Sequence, residues 1–154
     1  MFKIMFVCHG NICRSPMAEF IFKDIVKKNG VQDRFYVSSA ATSTEEICNG
    51  IGSPIYPPAK EMLLKHGISC GDKNAVLLQK TDYEKYDLFV VMDSKNYRNT
   101  IRIFGADPYN KVKKLLAFCN KEDDVADPWY SGDFTKAYND IYEGCTALFE
   151  ILIK

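Results

Sequence analysis

The ten residues Val7-Cys8-His9-Gly10-Asn11-Ile12-Cys13-Arg14-Ser15-Pro16 constrain this chain more than any other stretch. Before them runs Ile4-Met5-Phe6-Val7, short and apolar, which reads as a buried strand. After them Met17 to Lys28 reads as a helix, with Pro16 in its first turn, where a missing N–H is harmless. A strand, a tight polar loop and a helix N-terminus make an anion site, because free N–H groups point outward and the helix dipole favours negative charge. Gly10 permits close backbone approach and Asn11 tolerates the left-handed region, so successive amides can turn inward as a nest. Cys8 opens the loop, Arg14 closes it, and Ser15 stands where it caps the helix or donates to the Cys8 sulfur. The minimal description is a thiolate facing a bound oxyanion. A bare Cys-x5-Arg has little weight, since six Cys and four Arg in 154 residues give one by chance in about one sequence in six. The strand before it and the helix after it supply the weight.

The rest of the chain alternates in the same way. Phe2 to Val7 is the first strand, and Asn29-Gly30 ends the first helix. Phe35 to Ser39 is the second strand, followed by a long irregular segment from Ala40 to Tyr56, a length that is usually functional. Pro57-Pro58 opens a helix to about Lys65, and Gly67 closes it. Ala75 to Leu78 is a short strand or an extended link, and Thr81 caps a short helix to Tyr86. Leu88 to Met92 is apolar throughout, hence buried on both faces. Ser94 caps a helix to about Phe104, Val112 to Phe118 is a strand, and Phe134 to Ile153 is an amphipathic closing helix. This alternation predicts an α/β three-layer sandwich: a four-stranded parallel sheet with helices on both faces and a phosphate-binding loop after the first strand. Residues 1–154 read as one domain, without repeats or linkers.

Ligands of such sheets bind beyond the carboxyl ends of the strands, which sorts the candidates. The Cys8–Ser15 loop, the 40–56 segment, Asp93 and the 119–133 segment all leave strands at that rim. Two Asp-Pro pairs compete for the role of proton donor. Asp107 precedes the Val112–Phe118 strand and falls at the opposite end, where it reads as a turn residue. Asp127 follows that strand and shares the rim with Cys8. Asp127 is therefore the expected general acid, with Asp123, Asp124 and Asp133 as weaker rivals.

Composition excludes several classes. Formal net charge is zero, so nothing points to nucleic acid or a membrane surface, and no stretch is long enough to span a bilayer. Met1-Phe2-Lys3 leads straight into a strand without a signal peptide, and the chain is expected to be a cytoplasmic monomer. The six cysteines read as reduced thiols rather than disulfides, and no Cys-x2-Cys or His-x3-His spacing suggests zinc. No metal or cofactor is expected.

Cys8-x-Gly10-Asn11-x-Cys13-Arg14-Ser15-Pro16 followed by Met17-Ala18-Glu19 resembles the signature of the low-molecular-weight protein tyrosine phosphatases. The likeness continues through Lys65-His66-Gly67-Ile68-Ser69, Val91-Met92-Asp93-Ser94-Lys95-Asn96 and Val125-Ala126-Asp127-Pro128-Trp129-Tyr130. It implies a hydrolase of phosphotyrosine-containing proteins or small aryl phosphates that releases inorganic phosphate. Cys8 attacks phosphorus, and an ordinary thiol pKa of roughly 8.5 calls for the loop amides and Arg14 to favour its anion. Arg14 grips two phosphoryl oxygens as a fork that Lys cannot copy. The amides of His9, Gly10, Asn11, Ile12, Cys13 and Arg14 hold the remaining oxygens, Asp127 protonates the leaving group, and Ser15 stabilises Cys8 as the leaving thiolate. Asp93 is a supporting residue, and Ile12, Tyr56, Trp129 and Tyr130 are expected to wall the substrate pocket.

The resemblance also implies that Cys13 is a redox partner for Cys8, against a plain packing role. It implies a network of His66, Asn11 and Ser43 holding the loop, whereas the residues alone place His66 at a helix C-terminus. His9 is expected to face solvent. The 40–56 segment departs from the family, with Ala41 in place of a usual Gly and no Trp near Asn49. Cys48, Ile51, Ile55 and Tyr56 remain to form that wall. Alternatives on the same loop are a thiol-relay arsenate reductase, for which Cys119 is the nearest further thiol, a phosphoarginine phosphatase, and a non-catalytic phosphate-binding module.

Overall fold

The computed structural model describes residues 1–154. Strand β1 (Phe2–Cys8) leads through the 8–13 loop into helix α1 (Arg14–Lys28), and the chain returns as β2 (Phe35–Ala41). A small hairpin, β3 (Ile47–Cys48) and β4 (Ile51–Gly52), precedes α2 (Pro57–Lys65) and the short α3 (Asp82–Lys85). Then follow β5 (Leu88–Val91), α4 (Ser94–Phe104), β6 (Val112–Lys114), a 3-10 turn over Leu115–Cys119, the one-turn α5 (Pro128–Ser131) and α6 (Phe134–Ile153). The main sheet has the order β2-β1-β5-β6, parallel throughout. No helix is long and apolar enough to cross a membrane.

Alternation along β1 and β5 divides the core between the two faces. Ile4, Phe6, Leu88 and Val90 bury against α1, α2 and α6, in a cluster that includes Phe22, Leu63, Ile141 and Leu148. Met5, Val7, Phe89 and Val91 point the other way, against Phe104 of α4 and Leu78. The chain winds from β1 to β2 on one side and later crosses to β5 on the other. The carboxyl end of β1 is thus a topological switch point, where such sheets leave a crevice.

Several local expectations change. β2 continues two residues past Ser39, because Ala40 and Ala41 are small and fully buried against neighbouring chain. Leu77 forms only an isolated bridge to Ala41, so 75–78 is an extended link. Inside 40–56, Asn49 (φ 52°) and Gly50 (φ 77°) take the two positive-φ positions of a tight hairpin turn, an Asn-Gly signal the sequence reading passed over. The strand expected over Val112–Phe118 stops at Lys114. Leu115 and Leu116 instead turn under α6, where a Cβ on Gly144 would come within 2.5 Å of Leu115 Cγ. The cap of α4 is Asp93 rather than Ser94: its Oδ1 accepts from the Asn96 N–H at 2.7 Å. Thr81 makes no side-chain cap, and Asp82 Oδ2 instead accepts from the Gln79 N–H.

Candidate active site

The loop after β1 is clamped by its carbonyls. Those of Cys8, His9 and Ile12 accept from the backbone N–H groups of Thr42, Ser43 and Tyr56 at 2.8–3.0 Å. The N–H groups of His9 to Cys13 donate to no protein acceptor, which is the asymmetry an anion nest requires. Asn11 supplies the turn in the left-handed region at φ 57°, and α1 begins at Arg14. Cys8 is buried, with its Sγ 3.4 Å from the donating Ser15 N–H and 3.0 Å from Ser15 Oγ.

Proton direction along this network follows from its fixed members. The Val76 N–H donates to Asn11 Oδ1, so Asn11 Nδ2 must face Ser15 Oγ (2.7 Å) and Ser39 Oγ (2.9 Å), donating to both. Ser39 O–H donates to the buried Glu19 carboxylate at 2.6 Å, which also receives Lys23 Nζ at 2.6 Å. Ser15 oxygen is thereby an acceptor from Asn11, and its own hydrogen is free for the Cys8 sulfur. Ser15 is thus not a helix cap. The network expected from His66 and Ser43 is built instead from Ser39 and Glu19. His66 sits at the end of α2, donates from Nδ1 to the Met62 carbonyl and stacks on Tyr138 at 3.9 Å. Ser43 Oγ only accepts from the Glu45 N–H nearby.

Arg14 is almost wholly buried and multiply held. Its Nη1 donates to Asp93 Oδ2 at 2.8 Å and to the Val125 carbonyl at 2.7 Å. Burial opposes its charge, but the neighbouring Cys8, Asp93 and Asp127 overcome that and push its pKa further up. The Val125 N–H donates to the Met92 carbonyl, which ties the last rim loop to the end of β5. Two residues on, Asp127 Oδ2 lies 3.6 Å from Arg14 Nη2, while its Oδ1 caps α5 through the Trp129 N–H at 3.0 Å. Three of the other acids are engaged elsewhere, and Asp123 does not line the pocket. Asp107 accepts from Tyr83, Lys111 and Val112 before β6, Asp124 pairs with Lys114, and Asp133 caps α6.

Cys8, Arg14 and Asp127 line one pocket of about 130 Å³, together with His9, Gly10, Ile12, Cys13, Glu45, Glu46, Trp129 and Tyr130. Tyr56 does not reach this wall: it lies behind Trp129, with ring centroids 4.8 Å apart, and against Phe134. Nor do Cys48, Ile51 or Ile55 form the second wall. Ile55 is buried in the core and the hairpin carries the other two outward, leaving the wall to Glu45 and Glu46. His9 is also not simply solvent-facing, since its Nε2 meets Glu45 Oε2 at 2.9 Å. The rim rule could have found both glutamates, which leave the carboxyl end of β2. Glu19 carried a signal too, as a carboxylate on the face of α1 that buries Ala18 and Phe22. Burial first, then Cys8 and Asp127, hold the Cys13 thiol far above the ordinary range.

The low molecular weight phosphotyrosine protein phosphatase family matches residues 3–154. The chain belongs to that family. Low molecular weight phosphotyrosine protein phosphatases are cysteine-dependent and metal-independent. The low molecular weight protein-tyrosine-phosphatase YfkJ of Bacillus subtilis is 33% identical over 100% of this chain and 97% of its own length. Its crystal structure superposes with a TM-score of 0.92, covering 99% of this chain and 94% of YfkJ. SP-PTP, a low molecular weight protein tyrosine phosphatase of Streptococcus pyogenes, gives 0.88 at 34% identity, over 100% and 95% of the two chains. The YwlE arginine phosphatase of Bacillus subtilis shares the fold at 0.85 and 27% identity, over 99% and 97%.

Proposed function

We propose that this phosphatase hydrolyses phosphotyrosine and aryl phosphate monoesters through a cysteinyl-phosphate intermediate. The supporting observation is the convergence of Cys8, Arg14 and Asp127 on one pocket whose floor is a run of unshared backbone N–H donors. A phosphate dianion seats on the amides of residues 9–14, and Arg14 spans two of its oxygens. Cys8 Sγ attacks phosphorus, forming the S–P bond as the P–O bond to the leaving group breaks, and Asp127 delivers a proton to the departing oxygen. Asp127 then takes a proton from water, whose oxygen attacks phosphorus and breaks the S–P bond. Inorganic phosphate leaves, and Ser15 O–H donates to the thiolate that returns. Ile12 beside Trp129 and Tyr130 suits a flat aromatic ester.

A second reading, a phosphoarginine phosphatase, draws on Glu45 and Glu46 at the mouth and on the likeness to YwlE. The apolar and aromatic lining favours the aryl ester. Nothing favours a thiol relay, since Cys119 does not line the pocket. The six unpaired thiols support a reducing, cytoplasmic setting, and the site is complete in a single chain. Phosphate release from p-nitrophenyl phosphate, phosphotyrosine, phosphoserine and phosphoarginine, measured side by side, tests the reading. Fast turnover of the first two is expected; phosphoarginine as the preferred substrate would overturn it.

A further inference from the structure

We propose that Glu46, with Glu45 beside it, makes this pocket select phosphotyrosine that is flanked by basic residues; the inference rests on the phosphotyrosine reading above. The pocket is electrostatically two-ended. Its floor holds Arg14 and the amide nest, which seat the phosphoryl group, while Glu45 and Glu46 stand among its lining residues. The two glutamates are not equivalent. Glu45 is exposed and already paired with His9 at 2.9 Å. Glu46 is half-buried and makes no ion pair or side-chain hydrogen bond within the protein.

Its position is fixed by the fold. The Glu46 carbonyl accepts from the Ser53 N–H at 2.8 Å, across the base of the hairpin. Its Cγ lies against the phosphate loop, 3.3 Å from where a Cβ on Gly10 would be. A carboxylate with no partner in the protein is therefore held against the loop that receives the phosphate, on the wall of the pocket the substrate enters.

The aromatic side of the pocket favours the same charge. Trp129 and Tyr130 line it and are 56% and 86% exposed, so their rings present open surface beside the pocket. A Lys or Arg beside the phosphotyrosine meets a carboxylate and aromatic faces together, and both attract a cation. An Asp or Glu in the same place meets repulsion and gains nothing from the rings. Because the chain has no net charge, this local field rather than a global one decides the preference.

The experiment compares two phosphotyrosine peptides that differ only in Lys or Glu on either side of the phosphotyrosine. Values of kcat/KM are taken for the wild type, Glu46→Gln and Glu46→Lys, each scaled to p-nitrophenyl phosphate turnover by the same preparation. The wild type is expected to favour the Lys peptide by about 1.5-fold to fivefold at low salt, the range of exposed charge pairs. Glu46→Gln shrinks that ratio, Glu46→Lys inverts it, and added salt drives the wild-type ratio toward one. An equal rate on both peptides in the wild type, or a ratio unmoved by Glu46→Lys, overturns the inference and leaves the phosphotyrosine reading intact. Turnover of p-nitrophenyl phosphate with neither peptide cleaved overturns both.

Discussion

Asp127 and Asp107 both precede proline, and replacing each with alanine should damage different properties. Asp107 Oδ1 accepts from the Tyr83 hydroxyl at 2.5 Å and the Lys111 N–H at 2.7 Å, and its Oδ2 from the Val112 N–H at 3.0 Å. Those bonds hold the turn into β6 and leave the pocket untouched. Three hydrogen bonds to a partly exposed carboxylate are together worth about 2–4 kcal/mol. In a domain of this size that lowers Tm by roughly 5–15 °C. Asp127 makes one such bond, capping the short α5, and stands 3.6 Å from Arg14, so its loss should cost stability only about 1 kcal/mol. Its kinetic effect should be far larger, slowing phosphotyrosine turnover by about 10²–10⁴-fold. Aryl phosphates with acidic phenols should lose less rate, since their leaving groups need less protonation.

Acid titration separates the two further. Burial acts to raise the Asp107 pKa, but the hydrogen bonds from Tyr83, Lys111 and Val112 prevail and lower it below the ordinary carboxyl range. A carboxyl depressed on folding contributes stability above its unfolded pKa of about 3.9 and loses it as pH falls through the folded value. The Tm gap between wild type and Asp107→Ala should therefore be full at neutral pH and close below about pH 4. The assays are kcat against leaving-group pKa and Tm against pH for both variants. A steep leaving-group dependence in Asp107→Ala, with wild-type kinetics in Asp127→Ala, would refute the assignment of Asp127 to the rim of Cys8.

Cys8→Ser should abolish turnover yet still bind phosphate or vanadate, because the amide nest survives; persistent activity in this variant would exclude the covalent mechanism. Arg14→Lys should be nearly as inactive, since an ammonium cannot span two phosphoryl oxygens and also hold Asp93 and the Val125 carbonyl. Near-normal kcat in that variant would make Arg14 structural. Peroxide-inactivated wild type should recover activity with a thiol reductant, and Cys13→Ala should recover poorly, because Cys13 lines the same pocket as Cys8. Equal recovery would reduce Cys13 to packing.

The alternation of parallel strands with helices and the shared rim of Cys8, Arg14 and Asp127 could be read from the sequence because each follows from a short local pattern. An apolar run, a loop and a helix start leave few arrangements, and the rim rule sorted Asp127 from Asp107 with no knowledge of side-chain contacts. What escaped was decided across distance. Nothing local distinguishes Ser39 from Ser43 as the partner of Asn11; that depends on the parallel register that sets Cys8 against Ala41. The run Leu115-Leu116-Ala117-Phe118 is apolar enough for a strand, and Leu115 became a 3-10 residue because α6 presents Gly144 to it. Glu46 escaped for a different reason: the expected wall was apolar, and the Asn49-Gly50 turn carries Cys48 and Ile51 outward instead.

The clamp on the phosphate loop bears on how such an enzyme can diversify. Thr42, Ser43 and Tyr56 are the points at which the 40–56 segment grips the carbonyls of that loop. The hairpin lies between these grips and contributes none of them. It is therefore a cassette: its tip at Asn49-Gly50 can lengthen, shorten or exchange charge while the reacting groups stay in register. One restraint limits the exchange, because Gly52 lies so close to the Ala75 backbone that an added Cβ would meet it at 1.8 Å. Grafting another relative's tip between Ile47 and Ile51 should thus leave p-nitrophenyl phosphate turnover near the wild-type level, since no residue of that tip lines the pocket, whereas grafts that replace Gly52 should fail to dock.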